Sequence, residues 1–409
     1  MKSSVVNLSS LSSRLAGKDW TTLRVALTGL NNRPDNPGPG YAVAKCLQQH
    51  SAFQGTLVGL SYDSLDGGLY DQTLFSATYL LPYPSAGEEA LFTRLREIHQ
   101  QHPFDVLIPN LDAELLAFSR LQPRLAALGI TLLLPSTEMI LKRDKDKLPE
   151  LCRGSTVATP DIRHLSHARF FIDCELQGWH YPMVVKGRFY DAEVVHNATQ
   201  ANAAFHRLAA QWGLPVIVQR HVQGQEFNVA AVGDGSGGVL GLVMMRKRAL
   251  TDKGKAWAGT SIANPVLEQQ ARALIAALRW SGPLEVEMMC DTEGTFHLLE
   301  INPRFPAWVY LSHGTGCNLP VKLLQHLCSV KPASTDAIPA PEAAYGRPGV
   351  TFIRYAEERF VTLEELEHMA LFGALAGTPT ESSHESSRVS GNAVEALGNA
   401  SHALASGIY

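Results

Sequence analysis

Leu284–Trp308 reads LEVEMMCDTEGTFHLLEINPRFPAW, and the rest of the chain is organised around it. Leu284–Cys290 alternates apolar and acidic residues, the period of a β-strand, with Glu285 and Glu287 on one face. Asp291–Gly294 is a polar turn. Thr295–Ile301 is a second strand that reaches Glu300 and runs into Asn302, Pro303 and Arg304. A hairpin closing over the turn sets Glu287 opposite Glu300. Two carboxylates and the Asn302 amide oxygen form a hard oxygen set suited to Mg²⁺, which is held by one or two carboxylates together with substrate phosphates. Arg304 adds a permanent cation where phosphate charge would develop. Glu285 stays open between a site residue and a solvated acid on a wet sheet face. A wet face gives no reason for an E-x-N-P-R corner.

The chain has 409 residues, 45% hydrophobic and 18% charged, room for two or three domains. The net charge of −4 and the lack of a long basic run argue against nucleic acid as a partner. Six scattered cysteines without a C-x-x-C pair point to reduced thiols and a cytoplasmic protein. No apolar run reaches the length of a membrane span, so no membrane partner is expected. Residues 1–20 are serine-rich, lack a secretory core and read as a mobile tail.

From 21 to 140, strands at Leu23–Leu30, Gly55–Asp63, Phe104–Asn110 and Ile130–Ser136 alternate with helical stretches, the pattern of a doubly wound parallel sheet. The Gly/Pro loop Asn32–Gly40 follows the first strand; it reads as a tight turn or as part of an acceptor-substrate pocket. Met183–Lys186 is an apolar strand ending in a lysine. Lys186 is either matched to an anion or guards an edge. Gly233–Gly238 reads as a hairpin turn, since strands flank it and no lysine follows. Lys247, in Arg246–Arg248, alternates out of line with its neighbours and reaches into a phosphate site. Leu250–Ile262 reads as a mobile loop at the mouth of the site. Asn264–Trp280 is a helix with Asn264 as cap, Pro265 in first position and Gly282 past the end. The aromatic stretch Phe305–Tyr310 and Trp257 suit an apolar or peptide acceptor, and His313 lies beside them. Residues 331–346 form a Pro/Ala-rich linker, a strand and a helix follow to 376, and 377–409 read as disordered.

The corner at Glu300–Arg304, with a strand glutamate ahead of it, resembles the metal-binding end of the ATP-grasp enzymes. The resemblance covers about Leu23 to Val330 and implies an α/β and α+β fold class. In it, an N-terminal doubly wound parallel α/β domain (21–140) precedes a two-lobed ATP-grasp fold with antiparallel sheets (141–330, lobes about 141–220 and 221–330). It assigns Lys145, Lys186 and Lys247 to the phosphates, with residues 187–191 as a lid. Gln219, Arg220 and Val222 supply main-chain groups for adenine, and Glu226 the acid for the ribose hydroxyls. Glu287, Glu300 and Asn302 hold one or two Mg²⁺, for which Mn²⁺ can substitute, and Arg304 acts on the transferring group. The implied activity is that of a carboxylate–amine ligase with a carbamoyl-phosphate-synthase-like ATP lobe. ATP phosphorylates a small-molecule or peptide carboxylate, an amine displaces the phosphate, and ADP is released. Homodimers are common in such enzymes. The alternatives are biotin-carboxylase-like activation of bicarbonate and a partner-dependent ATP-binding subunit without its own turnover.

Overall fold

The computed structural model describes residues 15–153, 156–187, 191–252, 254–328 and 344–376. The first sheet holds β1 (Arg24–Leu27), β2 (Thr56–Ser61), β3 (Ala77–Leu80) and β4 (Val106–Ile108), all parallel, in the order β3-β2-β1-β4. Val25, Ala26 and Leu27 are buried in succession, as a strand covered on both faces requires. Two expectations are corrected here. Ile130–Ser136 does not form a strand: it keeps one bridge, Thr131 with Val106, because Pro135 has no N–H to offer a ladder. Ala77–Leu80 is a strand that the sequence reading passed over.

The described part of the expected N-terminal tail is also packed. Leu15 and Trp20 lie in the core, and the Gly17 N–H donates to the Cys328 carbonyl. The rest of that tail, 1–14, lies outside the described residues, as do most of the linker and the segment from 377 onward.

The second sheet comprises β5 (Ile162–Leu165), β6 (Met183–Lys186), β7 (Ala192–Val195) and β8 (Val216–Arg220), antiparallel, in the order β5-β8-β6-β7. Its core of Phe170, Phe171, Trp179, Val185, Phe205 and Leu208 is closed by the helix Ala198–Trp212. That helix starts where Asn197 accepts from the Gln200 N–H, and stops at Gly213.

The third sheet carries the site. Its strands are β9 (Gly224–Asp234), β10 (Val239–Leu250), β11 (Ala256–Ile262), β12 (Ser281–Asp291), β13 (Phe296–Asn302) and β14 (Thr351–Ile353), in the order β13-β12-β9-β10-β11-β14. The Gly233–Gly238 stretch is the β9–β10 hairpin turn, where the Asp234 carboxylate accepts from the N–H groups of Ser236, Gly237 and Gly238. The expected mobile loop at 250–262 is instead mostly strand β11. It pairs with β10 on one side and β14 on the other, and the Thr251 N–H donates to the Lys255 carbonyl between the two strands. The helix Pro265–Leu278 is capped by Asn264 as expected, but it ends at Arg279 in a left-handed conformation. The helix cannot continue to Trp280, because that side chain turns into the core and its Nε1 donates to the Pro283 carbonyl at 3.2 Å.

The chain then returns to the first sheet. After β14 the helix Leu363–Phe372 leads to β15 (Ala374–Ala376), which pairs antiparallel with β3. Arg359 Nη2 donates to Asp71 Oδ2 at 2.8 Å and Arg94 Nη2 to the Gly373 carbonyl at 2.7 Å. The C-terminal extension therefore ties the edge of the third sheet to the edge of the first. The six cysteines are free thiols, and among the described residues no helix is long and apolar enough to cross a membrane.

Candidate active site

The β12–β13 register sets Glu287 opposite Glu300 and Glu285 opposite Asn302, with an irregularity just after Glu287. The short polar turn between the strands fixes this pairing, since a one-residue slip would reverse every side chain. β9 lies on the other side of β12 and brings Glu226. β10 lies beside β9 and brings Lys247, which forms an ion pair with Glu226 and stands 4.0 Å from Glu287 Oε2. Lys145 comes from the segment before the second sheet, its Nζ 3.4 Å from Glu300 Oε1. Lys186, at the end of β6, is 8% exposed. Burial, reinforced by Lys145, pulls the Lys186 ammonium down to about 8, while Glu300, Glu287 and Glu226 oppose the fall. For Lys247 burial also works downward, but Glu287 and Glu226 outweigh it and hold the ammonium above its ordinary value. Burial is the main cause that raises the Glu226 carboxyl; Lys247 opposes it and the charge of Glu287 adds to it. Three lysines and three glutamates thus converge from four separate segments.

Arg304 sits at the foot of this cluster. Its Nε donates to Asp112 Oδ2 at 2.7 Å and its Nη1 to the Phe305 carbonyl at 3.2 Å, with Glu285 Oε2 at 3.6 Å. Burial opposes its charge, but Asp112 and Glu285 raise it above the ordinary value. Burial likewise works to raise the Asp112 carboxyl, and Arg304 and Arg143 overcome it and hold it low. The open question over Glu285 closes against a wet face. It is 5% exposed and accepts from Trp308 Nε1 at 2.6 Å, Asn228 Nδ2 at 2.9 Å and Asn302 Nδ2 at 3.2 Å. It is the acceptor that aligns Asn302 and Arg304.

Sequence reading missed Asp112, Arg143 and Asn228. Asp112 alone carried a usable signal, an acid opening a helix just past the carboxyl end of a parallel strand.

The expected adenine link is placed differently in part. Gln219 lies inside β8, flanked by Ile162 and Val184. The Arg220 N–H donates to the Asp161 carbonyl, and its guanidinium binds Asp161 at 2.9 Å and stacks over Trp179. Both belong to the sheet, so the open link between β8 and β9 is residues 221–223, which retains Val222. Glu226 lies in β9. Of the lid, only Gly187 and Asp191 are described, and their main chains bond each other.

The residues fit a divalent cation held jointly with phosphate. Among the described residues no three His, Cys, Asp or Glu side chains form a ready metal cluster. Glu287 and Glu300 would supply two hard ligands. Asn302 turns its amide nitrogen to Glu285 and Glu287, which leaves its oxygen on the other side. A cage this incomplete suits Mg²⁺, which keeps water and nucleotide oxygens in its shell.

Against Trp308, whose Nε1 reaches Glu285, opens a cavity of about 470 Å³. It joins the loop Asn32–Gly38, Trp257, the stretch Ala307–Gly314 and residues 350–357. The segments read from the sequence as acceptor candidates therefore line one cavity. His313 stacks on Tyr310 with ring centroids 5.7 Å apart, and burial lowers its imidazole from the ordinary value.

This is the ATP-grasp fold: a parallel α/β sheet followed by two antiparallel sheets, with the ligand-bearing hairpin in the larger one. Residues 214–345 match the family described as ATP-grasp in the biosynthetic pathway with Ter operon. The L-amino acid ligase from Bacillus licheniformis superposes with a TM-score of 0.56 at 16% identity, over 75% of this chain and 74% of that one. Biotin carboxylase from Campylobacter jejuni gives 0.58 at 15%, over 77% and 73%. N5-carboxyaminoimidazole synthase from Aspergillus clavatus, bound to ADP and 5-aminoimidazole ribonucleotide, gives 0.57 at 15%, over 80% of each chain. No curated protein sequence matches the chain.

Proposed function

We propose that this protein is an ADP-forming ligase that activates a carboxylate as its acylphosphate and transfers the acyl group to an amine. The observation that carries the reading is the convergence of Lys145, Lys186, Lys247, Glu226, Glu287 and Glu300 on one end of the β12–β13 hairpin, with Arg304 held against Glu285 on the same hairpin. The lysines hold the nucleotide phosphates, and main-chain groups near Val222 and the Glu226 carboxylate hold adenine and ribose. Mg²⁺ bound by Glu287, Glu300 and Asn302 would neutralise phosphate charge during transfer. A carboxylate oxygen from the cavity side attacks the γ-phosphorus, the β–γ bridging bond breaks, and ADP leaves. The amine nitrogen then attacks the acyl carbon, phosphate departs, and the nitrogen loses its proton. Arg304, held by Asp112, stabilises the oxyanion in both steps.

ADP release from protein, Mg-ATP and a pooled carboxylate library, with hydroxylamine as surrogate amine, tests this. Hydroxamate formed with ADP, and lost in Glu300→Gln and Arg304→Ala, is the expected result. AMP and pyrophosphate would overturn it in favour of adenylation. ADP formed only with bicarbonate selects the carboxylase-like reading. Binding without turnover selects the partner-dependent one.

A further inference from the structure

We infer that the cavity walled by Trp308 takes an acid bearing a second carboxylate, and that Arg354 selects it. The inference rests on the ligase reading and names its substrate class. Arg354 directly follows β14 on the cavity wall. Its N–H donates to the Trp257 carbonyl and its Nε to the Ala256 carbonyl, both at 2.9 Å. The guanidinium is thus anchored on one edge. Among the described residues no acid lies within ion-pair distance of it. Burial pushes it down to about 10, against the pull of the Glu285 charge, so it stays protonated at neutral pH. The guanidinium also stands 5.6 Å over the Phe352 ring, a contact that leaves it without a counter-ion, and a fixed, half-buried guanidinium of this kind is matched to a planar oxyanion that it can grip in bidentate fashion.

The other charges on the wall are accounted for. Arg33 pairs with Asp63 at 3.3 Å, and Lys45 lies 4.4 Å over the Tyr310 ring. The single acid among the described lining residues, Glu357, is exposed and accepts from Tyr355. Arg354 lines the cavity, whereas none of Lys145, Lys186, Lys247, Glu226, Glu287, Glu300 and Arg304 does, so an anion gripped by Arg354 is distinct from the group held among those residues. Trp257, Trp308 and Phe352 give the cavity apolar walls, and its volume exceeds what bicarbonate needs.

The test compares dicarboxylic acids with their half-amides, matched in carbon skeleton, by ADP release at saturating Mg-ATP. The diacids are expected to be favoured at least tenfold in kcat/KM by the wild type. Arg354→Gln should lower the diacid value roughly 10- to 100-fold through KM, and leave the half-amide value unchanged. Arg354→Lys should fall between. An unaltered Mg-ATP affinity in each variant certifies the fold. Equal rates for diacid and half-amide in the wild type, or equal losses for both in Arg354→Gln, would overturn the inference. If no acid yields ADP, the ligase reading fails first. Calorimetric binding of the same pairs, without turnover, then decides the role of Arg354: diacids bound no more tightly than half-amides would overturn it separately.

Discussion

Lys186→Met should make the protein more stable and unable to bind nucleotide. Burial and Lys145 bring the folded-state ammonium from the ordinary 10.5 to about 8. At about 1.4 kcal/mol per tenfold step, holding it charged at neutral pH costs about 3 kcal/mol. Methionine fills the same volume without a charge. At pH 7 without nucleotide, the variant should therefore melt several degrees above the wild type. The sign follows from proton binding. Between about pH 8 and 10.5 the unfolded chain holds a proton at Lys186 that the folded chain has lost, so the wild type gains stability relative to the variant as pH rises through that window. The gap should be full below pH 8 and gone above 10.5. Calorimetric melts from pH 7 to 10 read this directly, and Mg-ATP should raise the wild-type midpoint but not that of the variant. A variant that melts below the wild type at pH 7, or that keeps its Mg-ATP shift, would refute the claim that Lys186 is a strained cation reserved for phosphate.

Glu285→Gln puts an amide where Trp308, Asn228, Asn302 and Arg304 all expect an anion, so it should destabilise the fold by about 2 kcal/mol in urea titration and reduce ADP release as Arg304 loses alignment. Gly282→Ala should cost about 1–3 kcal/mol in the same assay, because φ is +86° and a Cβ would lie 2.2 Å from the Leu133 carbonyl. Arg359→Ala removes a partly exposed tie to Asp71; equilibrium stability should change by about 1 kcal/mol or less, while limited proteolysis should cut faster between 354 and 362.

What could be read from the sequence was local. The β12–β13 hairpin was legible because its turn lies within the quoted stretch and fixes the register that opposes Glu287 to Glu300. Lys186 was legible because a charge at the end of an apolar strand needs a partner wherever the strand lies. Helix starts at Asn197 and Asn264 were legible because the cap and the N–H groups it serves are two or three residues apart. By contrast, Leu250–Ile262 misled because glycine and lysine suggest a loop, whereas β10 and β14 supply the pairing on either side. Gln219 and Arg220 misled because a main-chain group is free only if no strand lies beside it, and β5 comes from more than fifty residues earlier.

The deeper gap concerns Arg304. Its neighbours in sequence explain why a cation is present but not what aims it. Asp112 lies 192 positions away in the first sheet's domain, and Glu285 lies across the hairpin. The cavity has the same character, since its walls come from the segments around residues 32–45, 257, 307–314 and 350–357. The nucleotide end of such a site is written in short motifs, because phosphate and metal ask for the same few residues in any ligase of this fold. The cavity that the ligase reading makes the acceptor end is assembled only when the C-terminal extension crosses from β11 to β3. On that reading substrate identity is encoded in contacts between distant segments, and Arg354, which a strand-edge reading would have taken for a solvated charge, becomes informative only once β14 is in place.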